Sequence, residues 1–171
     1  MIKNVIKLSW ALLLACFVGL GMNSCVDAED GESWGDWEFR NVINCSKYTE
    51  WSMEKVKIDG EWVDAAREDV PYFAVQFFAK DHNFHSQKWS WTWKEIGGEG
   101  GWVSDDATIE EYKPADNTAF TVDSKTLTIE GTVAGEKYFR FVLDEKIDGP
   151  YMQGKLYFYK EDKTYEVLMR R

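Results

Sequence analysis

From Trp34 onward, apolar and polar side chains mostly alternate with a period of two, and turn-forming residues interrupt the alternation at short intervals. Residues 37–45 place Trp37, Phe39, Asn41, Ile43 and Cys45 on one mostly apolar face, which predicts a strand with the Cys45 thiol buried. Residues 54–63 contain Asp59-Gly60, a pair suited to a two-residue hairpin. Residues 72–79 follow Pro71 and are apolar on both faces, as in a well-covered strand, and Asp81-His82-Asn83 supplies the turn before a strand over 84–94. Further strands are predicted over 119–122, 126–130, 138–143 and 151–159, and around Tyr165, Val167 and Met169. The single helical signal is 105–112, with Ser104 as N-cap and Pro114 beyond its end. Eight or nine short strands with hairpin-sized turns predict an all-β domain, an antiparallel barrel or sandwich.

The first 24 residues break this pattern. Lys3 and Lys7 precede an apolar run from Leu8 to Met22, and small Ser24 stands before Cys25, in the order of a secretory signal. The run is short of the ~20 residues a spanning helix needs, and acidic residues rather than basic ones follow it. Leu20-Gly21-Met22-Asn23-Ser24-Cys25 resembles the lipobox of bacterial lipoproteins, with Asn23 where that family carries a small residue. The resemblance implies a signal peptide over 1–24 and acylation, with palmitate among the chains, of Cys25 as the new N-terminus. Cleavage before Cys16 would leave an apolar run of only about eight residues and an apolar peptide at the mature end, so Cys25 is the expected lipid site. Two or more acyl chains anchor stably where one holds only marginally. Residues 25–33 then read as an acidic tether. They are similar to the acidic patch that directs lipoproteins of the Bacteroidetes to the outer face of the outer membrane, and equally to a solvated spacer.

Removing 1–24 leaves 147 residues, enough for one domain with a hydrophobic core. It also leaves 18 Lys and Arg against 30 Asp and Glu, a net charge of −12 that repels nucleic acid and anionic headgroups. Cys45 is then the only thiol besides the lipid site, which excludes an intramolecular disulfide and the common structural zinc sets.

Gly35-Asp36-Trp37 resembles the Gly-x-Trp of lipocalins, whose indole plugs the closed end of an up-and-down barrel of eight strands. Pro71-Tyr72-Phe73 and the closing Thr164-Tyr165-Glu166-Val167 are similar to small lipocalin-like lipoproteins of the Bacteroidetes, over residues 34–171. The second lipocalin signature, Thr-Asp-Tyr, is absent. In that family a basic side chain of the last strand lies across the indole, which the resemblance implies for Trp37 and Arg170.

Among candidate binding residues, Trp89, Trp91 and Trp93 share one face at strand spacing, with Lys88, Ser90, Thr92 and Lys94 on the other. If the polar face meets solvent, the indoles point inward, either as packed core or, with Phe139 and Phe141, as the wall of a cavity. Gly97-Gly98-Glu99-Gly100-Gly101 reads as a mobile loop at the barrel mouth, and Trp51, Trp62 and Trp102 as its aromatic cap or a surface patch. His82 and His85 lie three apart, on opposite sides of a strand, and lack further ligands for a metal. Acidic pairs such as Glu68-Asp69, Asp105-Asp106 and Glu110-Glu111 are expected from acid abundance, and no Ser-His-Asp order or nucleophile elbow accompanies them. The sequence therefore points away from an enzyme and a cofactor. It points to an outer-membrane lipoprotein binding a small apolar or saccharide ligand, the alternative being a packed barrel that docks onto another envelope protein.

Overall fold

The computed structural model describes residues 27–171. The signal segment and Cys25 lie outside the described residues. Among the described residues, twelve strands and one α-helix build an all-β, barrel-like fold. Helix α1 (Trp34–Ile43) is followed by β1 (Trp51–Ile58), β2 (Glu61–Asp64), β3 (Tyr72–Phe78), β4 (Asn83–Trp89), β5 (Trp91–Ile96) and β6 (Glu99–Ser104). Then come β7 (Glu110–Tyr112), β8 (Thr118–Asp123), β9 (Thr128–Val133), β10 (Glu136–Leu143), β11 (Tyr151–Phe158) and β12 (Lys163–Arg170). The sheet runs β7-β4-β3-β1-β12-β11-β10-β9-β8, all antiparallel, with β2 paired to β1 outside this path.

Strands β4 and β8 meet to close the ring nearly completely. The Phe120 amide donates to His82 O at 2.9 Å. The buried Thr118 hydroxyl donates to Phe84 O (2.6 Å) and accepts from the Phe84 amide (3.2 Å). A side chain thus supplies ladder bonds where β7, on the flank of β4, has displaced regular pairing. The barrel proper is β1, β3, β4 and β8 to β12, eight strands in up-and-down order. The β1–β2 turn is the expected hairpin, with Asp59 and Gly60 both at positive φ (52° and 87°).

Residues 37–45, expected as the first strand, are instead the end of α1 and the residues after it. Ser33 caps the helix, its hydroxyl accepting from the Asp36 amide at 3.1 Å and donating to the Asp36 carboxylate at 2.6 Å. The buried set Phe39, Arg40 and Ile43 has helical, not alternating, spacing. Cys45 is buried as expected, just beyond the helix, and burial pushes its thiol pKa up. The expected helix over 105–112 is only a 3₁₀ turn, Asp106–Thr108, before β7. The strand expected over 84–94 breaks at Ser90 into β4 and β5.

The interior is filled with aromatic rings. Phe73 on β3 reaches across to Phe139 on β10 (ring centroids 5.3 Å apart) and to Phe158 on β11 (5.2 Å). Phe77 meets Phe120 at 5.0 Å, and Phe84 meets Phe139 at 5.4 Å. Edge and tilted contacts of this kind add to the area each ring buries. Phe139 lies over Gly131, where a Cβ would collide with its ring.

The two ends of the barrel differ. At the helix end, Trp51 is fully buried and donates its indole N–H to Ile43 O at 2.9 Å. The Arg171 guanidinium lies over the Trp51 ring (4.7 Å) and donates to Val42 O (2.9 Å) and Asn44 O (3.0 Å). The indole-guanidinium closure anticipated for Trp37 and Arg170 is therefore made by Trp51 and Arg171. Residue 51, not 37, begins the first strand, and Arg170 lies over the Tyr151 ring at 5.9 Å. Trp37 packs on Trp34 of the same helix (4.4 Å). The far end, the mouth, carries the 64–71 loop, the β5–β6 hairpin, the 3₁₀ turn and the β11–β12 turn.

Candidate binding site at the barrel mouth

Parity along β4 decides what faces inward at the mouth. Phe84, Ser86 and Lys88 are buried and His85, Gln87 and Trp89 are half-buried, so Lys88 occupies the interior face and Trp89 the other. This reverses the expected assignment, because Phe84 commits every second residue of its strand to the core. Lys88 is 6% exposed. Its ammonium meets Glu161 at 2.5 Å and Glu110 at 3.0 Å, and lies over the rings of Phe158 (4.8 Å) and Tyr138 (5.6 Å). Tyr112 donates to Glu110 at 2.7 Å, and that carboxylate, helped by burial, pushes the phenol up to about 12. Burial alone would raise Glu110, but the Tyr112 hydroxyl and Lys88 outweigh it and hold its carboxyl below the ordinary value. Burial drives Tyr138 upward against the opposing effect of the neighbouring Ser86 hydroxyl. The mouth is thus plugged by a lysine clamped between two carboxylates on β7 and the β11–β12 turn.

The three-tryptophan stripe divides. Trp89 and Trp91 pack on Tyr72 (4.5 and 5.3 Å) and on each other (5.8 Å), fixing the base of the β5–β6 hairpin to the barrel. Their indole N–H groups are buried without an acceptor. Trp93 stands 53% exposed further along the hairpin, opposite Trp102 of β6, which is 38% exposed. The two rings meet edge to face at 5.3 Å. The expected mobile loop over 97–101 is the turn and start of β6. Gly100 is small because Trp93 lies on it, and a Cβ would collide with the indole. Phe139 and Phe141, expected at a cavity wall, are core residues at 0% and 2% exposure. Trp89 lies on the outer face of β4 and borders a cleft open to the outside.

Two clefts open instead on the outside of the mouth. One, of about 540 Å³, is lined by Asp64, Ala66, Arg67, Glu68, Asp69 and Trp102. The other, of about 340 Å³, shares Glu68 and Asp69 and continues past Trp89 to Lys88, Glu110 and Glu161. Arg67 makes a two-pronged contact with Asp69 (2.6 and 3.2 Å) that holds the Asp69 carboxyl below its ordinary value and fixes donor and acceptor side by side. Asp64 accepts from the Ala66 amide at 2.8 Å, which shapes the loop. Sequence reasoning treated Glu68-Asp69 as solvent-facing acids. The signal that distinguishes them is the cationic Arg67 directly before the acidic pair in the loop between β2 and β3.

His82 and His85 lie apart. Nε2 of His82 is 2.8 Å from Glu29 at the helix end, and Nε2 of His85 is 2.8 Å from Glu111 on the outer face of β4 and β7. Among the described residues no group of three or more His, Cys, Asp or Glu is placed to hold a metal ion, and no helix is long and apolar enough to cross a membrane. Compared with known protein families, curated proteins and solved structures, the chain matches none.

Proposed function

We propose that the protein is an outer-membrane lipoprotein, acylated on Cys25, whose lipocalin-like barrel is a packed scaffold for a saccharide-binding cleft at its mouth. The observation that carries this reading is the Trp102 indole forming one wall of a 540 Å³ cleft whose other walls are Asp64, Arg67, Glu68 and Asp69. A sugar ring has an apolar C–H face that stacks on an indole, and hydroxyls that donate to carboxylates and accept from a guanidinium. A purely apolar ligand would desolvate those charged groups without hydrogen-bonding to them, so the saccharide is favoured over the lipid-like alternative. The test is a glycan array followed by tryptophan-fluorescence titration with any sugar retained. Trp102→Ala is expected to keep the native circular dichroism and weaken binding by at least about tenfold, the loss of one stacked aromatic contact. Unchanged affinity in that variant would sink the cleft assignment.

A second reading has its own support. The filled interior and the exposed Trp93–Trp102 pair suit a scaffold that docks on another envelope protein, since exposed aromatic pairs are characteristic of interface centres. A photo-crosslinker at position 93 would then trap one stoichiometric partner in intact envelopes, whereas the saccharide reading predicts none.

A further inference from the structure

The segment before α1 was expected to be a loose tether, yet the structure holds it firmly against the barrel. Arg40, fully buried, donates from Nε and Nη2 to the two carboxylate oxygens of Glu32 (2.8 and 2.6 Å). The same guanidinium donates to Ala79 O (2.7 Å) on the β3–β4 turn and to Asp27 O (3.1 Å). Glu29 reaches His82 on that turn at 2.8 Å. The chain is therefore attached to the helix end of the barrel as far back as Asp27. One residue, Val26, separates Asp27 from Cys25, and two residue steps along the chain span at most about 7 Å.

The same end exposes three large aromatic side chains: Trp34 (71%), Tyr48 (87%) and Tyr151 (40%). Each belongs to an element already placed there, namely the start of α1, the segment leading into β1 and the start of β11. Two have a cation over the ring, Lys47 on Tyr48 (5.5 Å) and Arg170 on Tyr151 (5.9 Å). Tryptophan and tyrosine, with an apolar body and a polar tip, concentrate at the headgroup level of bilayers, where lysine and arginine stems also lie favourably. Acids share this end, among them Asp30, Asp36, Glu38, Glu50 and Asp148. That mixture matches a zwitterionic headgroup layer better than an anionic one.

We infer that the helix end rests on the bilayer, with Trp34, Tyr48 and Tyr151 in a zwitterionic headgroup layer and the mouth cleft facing away from the membrane. The inference rests on the proposed acylation of Cys25, which brings the bilayer within reach of the pinned Asp27. It adds an orientation: the barrel is seated rather than leashed.

The test uses the full chain, processed and purified from bacterial envelopes and reconstituted into phosphatidylcholine vesicles. An environment-sensitive fluorophore is attached in turn to Trp34→Cys, Tyr151→Cys and, as the distal control, Trp93→Cys. All three sites are exposed, circular dichroism checks that each variant keeps the native fold, and Cys45 is buried from the reagent. Seating predicts blue-shifted emission at 34 and 151 and iodide quenching there about fivefold weaker than at 93. Vesicle-bound protein in which 34, 151 and 93 are quenched equally overturns the orientation while leaving the anchor intact. Protein that fails to associate with vesicles overturns the anchor and the orientation together.

Discussion

At the scale of single residues, Lys88 is the most consequential side chain in the barrel. A buried ammonium between two carboxylates adds little net stability, but removing it leaves those carboxylates near one another without a cation. Lys88→Met is expected to lower unfolding stability by about 3 kcal/mol in urea titration, and adding Glu110→Gln and Glu161→Gln should recover part of the loss. Glu111, one position beyond Glu110, titrates for a different reason. Lys113 (2.8 Å), His85 (2.8 Å) and Gln87 (2.9 Å) all contact its carboxylate and bring it from 4.5 down to about 2. A folded-state value below the unfolded one means that this stabilisation is complete above about pH 4.5 and is lost as pH falls toward 2. Carboxyl NMR should place the Glu111 midpoint near 2 and show it rising in Lys113→Ala. Some residues were legible from sequence. Cys45, on the mostly apolar face of an expected strand, reads as buried, and it is buried although it lies just beyond the helix. Lys88 was not legible, because only the parity set by Phe84 turns it inward, and the louder tryptophan alternation after it belongs to another strand.

Among elements, the β1–β2 hairpin was the most legible, since Asp59-Gly60 encodes its turn locally. Residues 37–45 read as a strand because Trp37, Phe39, Asn41, Ile43 and Cys45 give a mostly apolar period of two by coincidence. The overlooked signal was Ser33 three residues before Asp36, a helix start that works through local hydrogen bonds whatever the apolar spacing. The β4–β8 seam was invisible, since no local pattern reports that Thr118 will stand in for a missing ladder. Its hydroxyl both donates to and accepts from Phe84. Thr118→Val keeps the shape but leaves those backbone groups unpaired, so a loss of about 1–3 kcal/mol is expected. Hydrogen exchange should show the Phe84 amide deprotected in that variant, and unchanged protection would remove Thr118 from its role in the seam.

For the whole molecule, strand number and turn spacing left an antiparallel barrel or sandwich open and the up-and-down order came only from the lipocalin resemblance, whereas open or packed was not legible. That property depends on which rings meet across the lumen, as Phe73 and Phe139 do, and contacts between distant strands leave no periodic trace. The candidate site moved from the interior to the outside of the mouth for the same reason. Under the proposed anchoring, Cys25→Ala is expected to shift the protein from the membrane to the soluble fraction. The barrel should remain folded, because Arg40 draws its partners from Asp27, Glu32 and Ala79 and not from residue 25. Fractionation and circular dichroism together check both halves of that statement.

The β1–β12 pairing sets the order in which the fold can assemble. Ser52 and Arg170 are neighbours in the sheet yet stand 118 positions apart. Strands β8 to β12 can meander together from local hairpins, but β1 has no partner on its β12 side until β12 exists. Losing β12 would therefore expose two edges at once, β1 and β11, and would strip Trp51 of the Arg171 that covers it. The last nine residues are the keystone of the ring: its first strand waits for them.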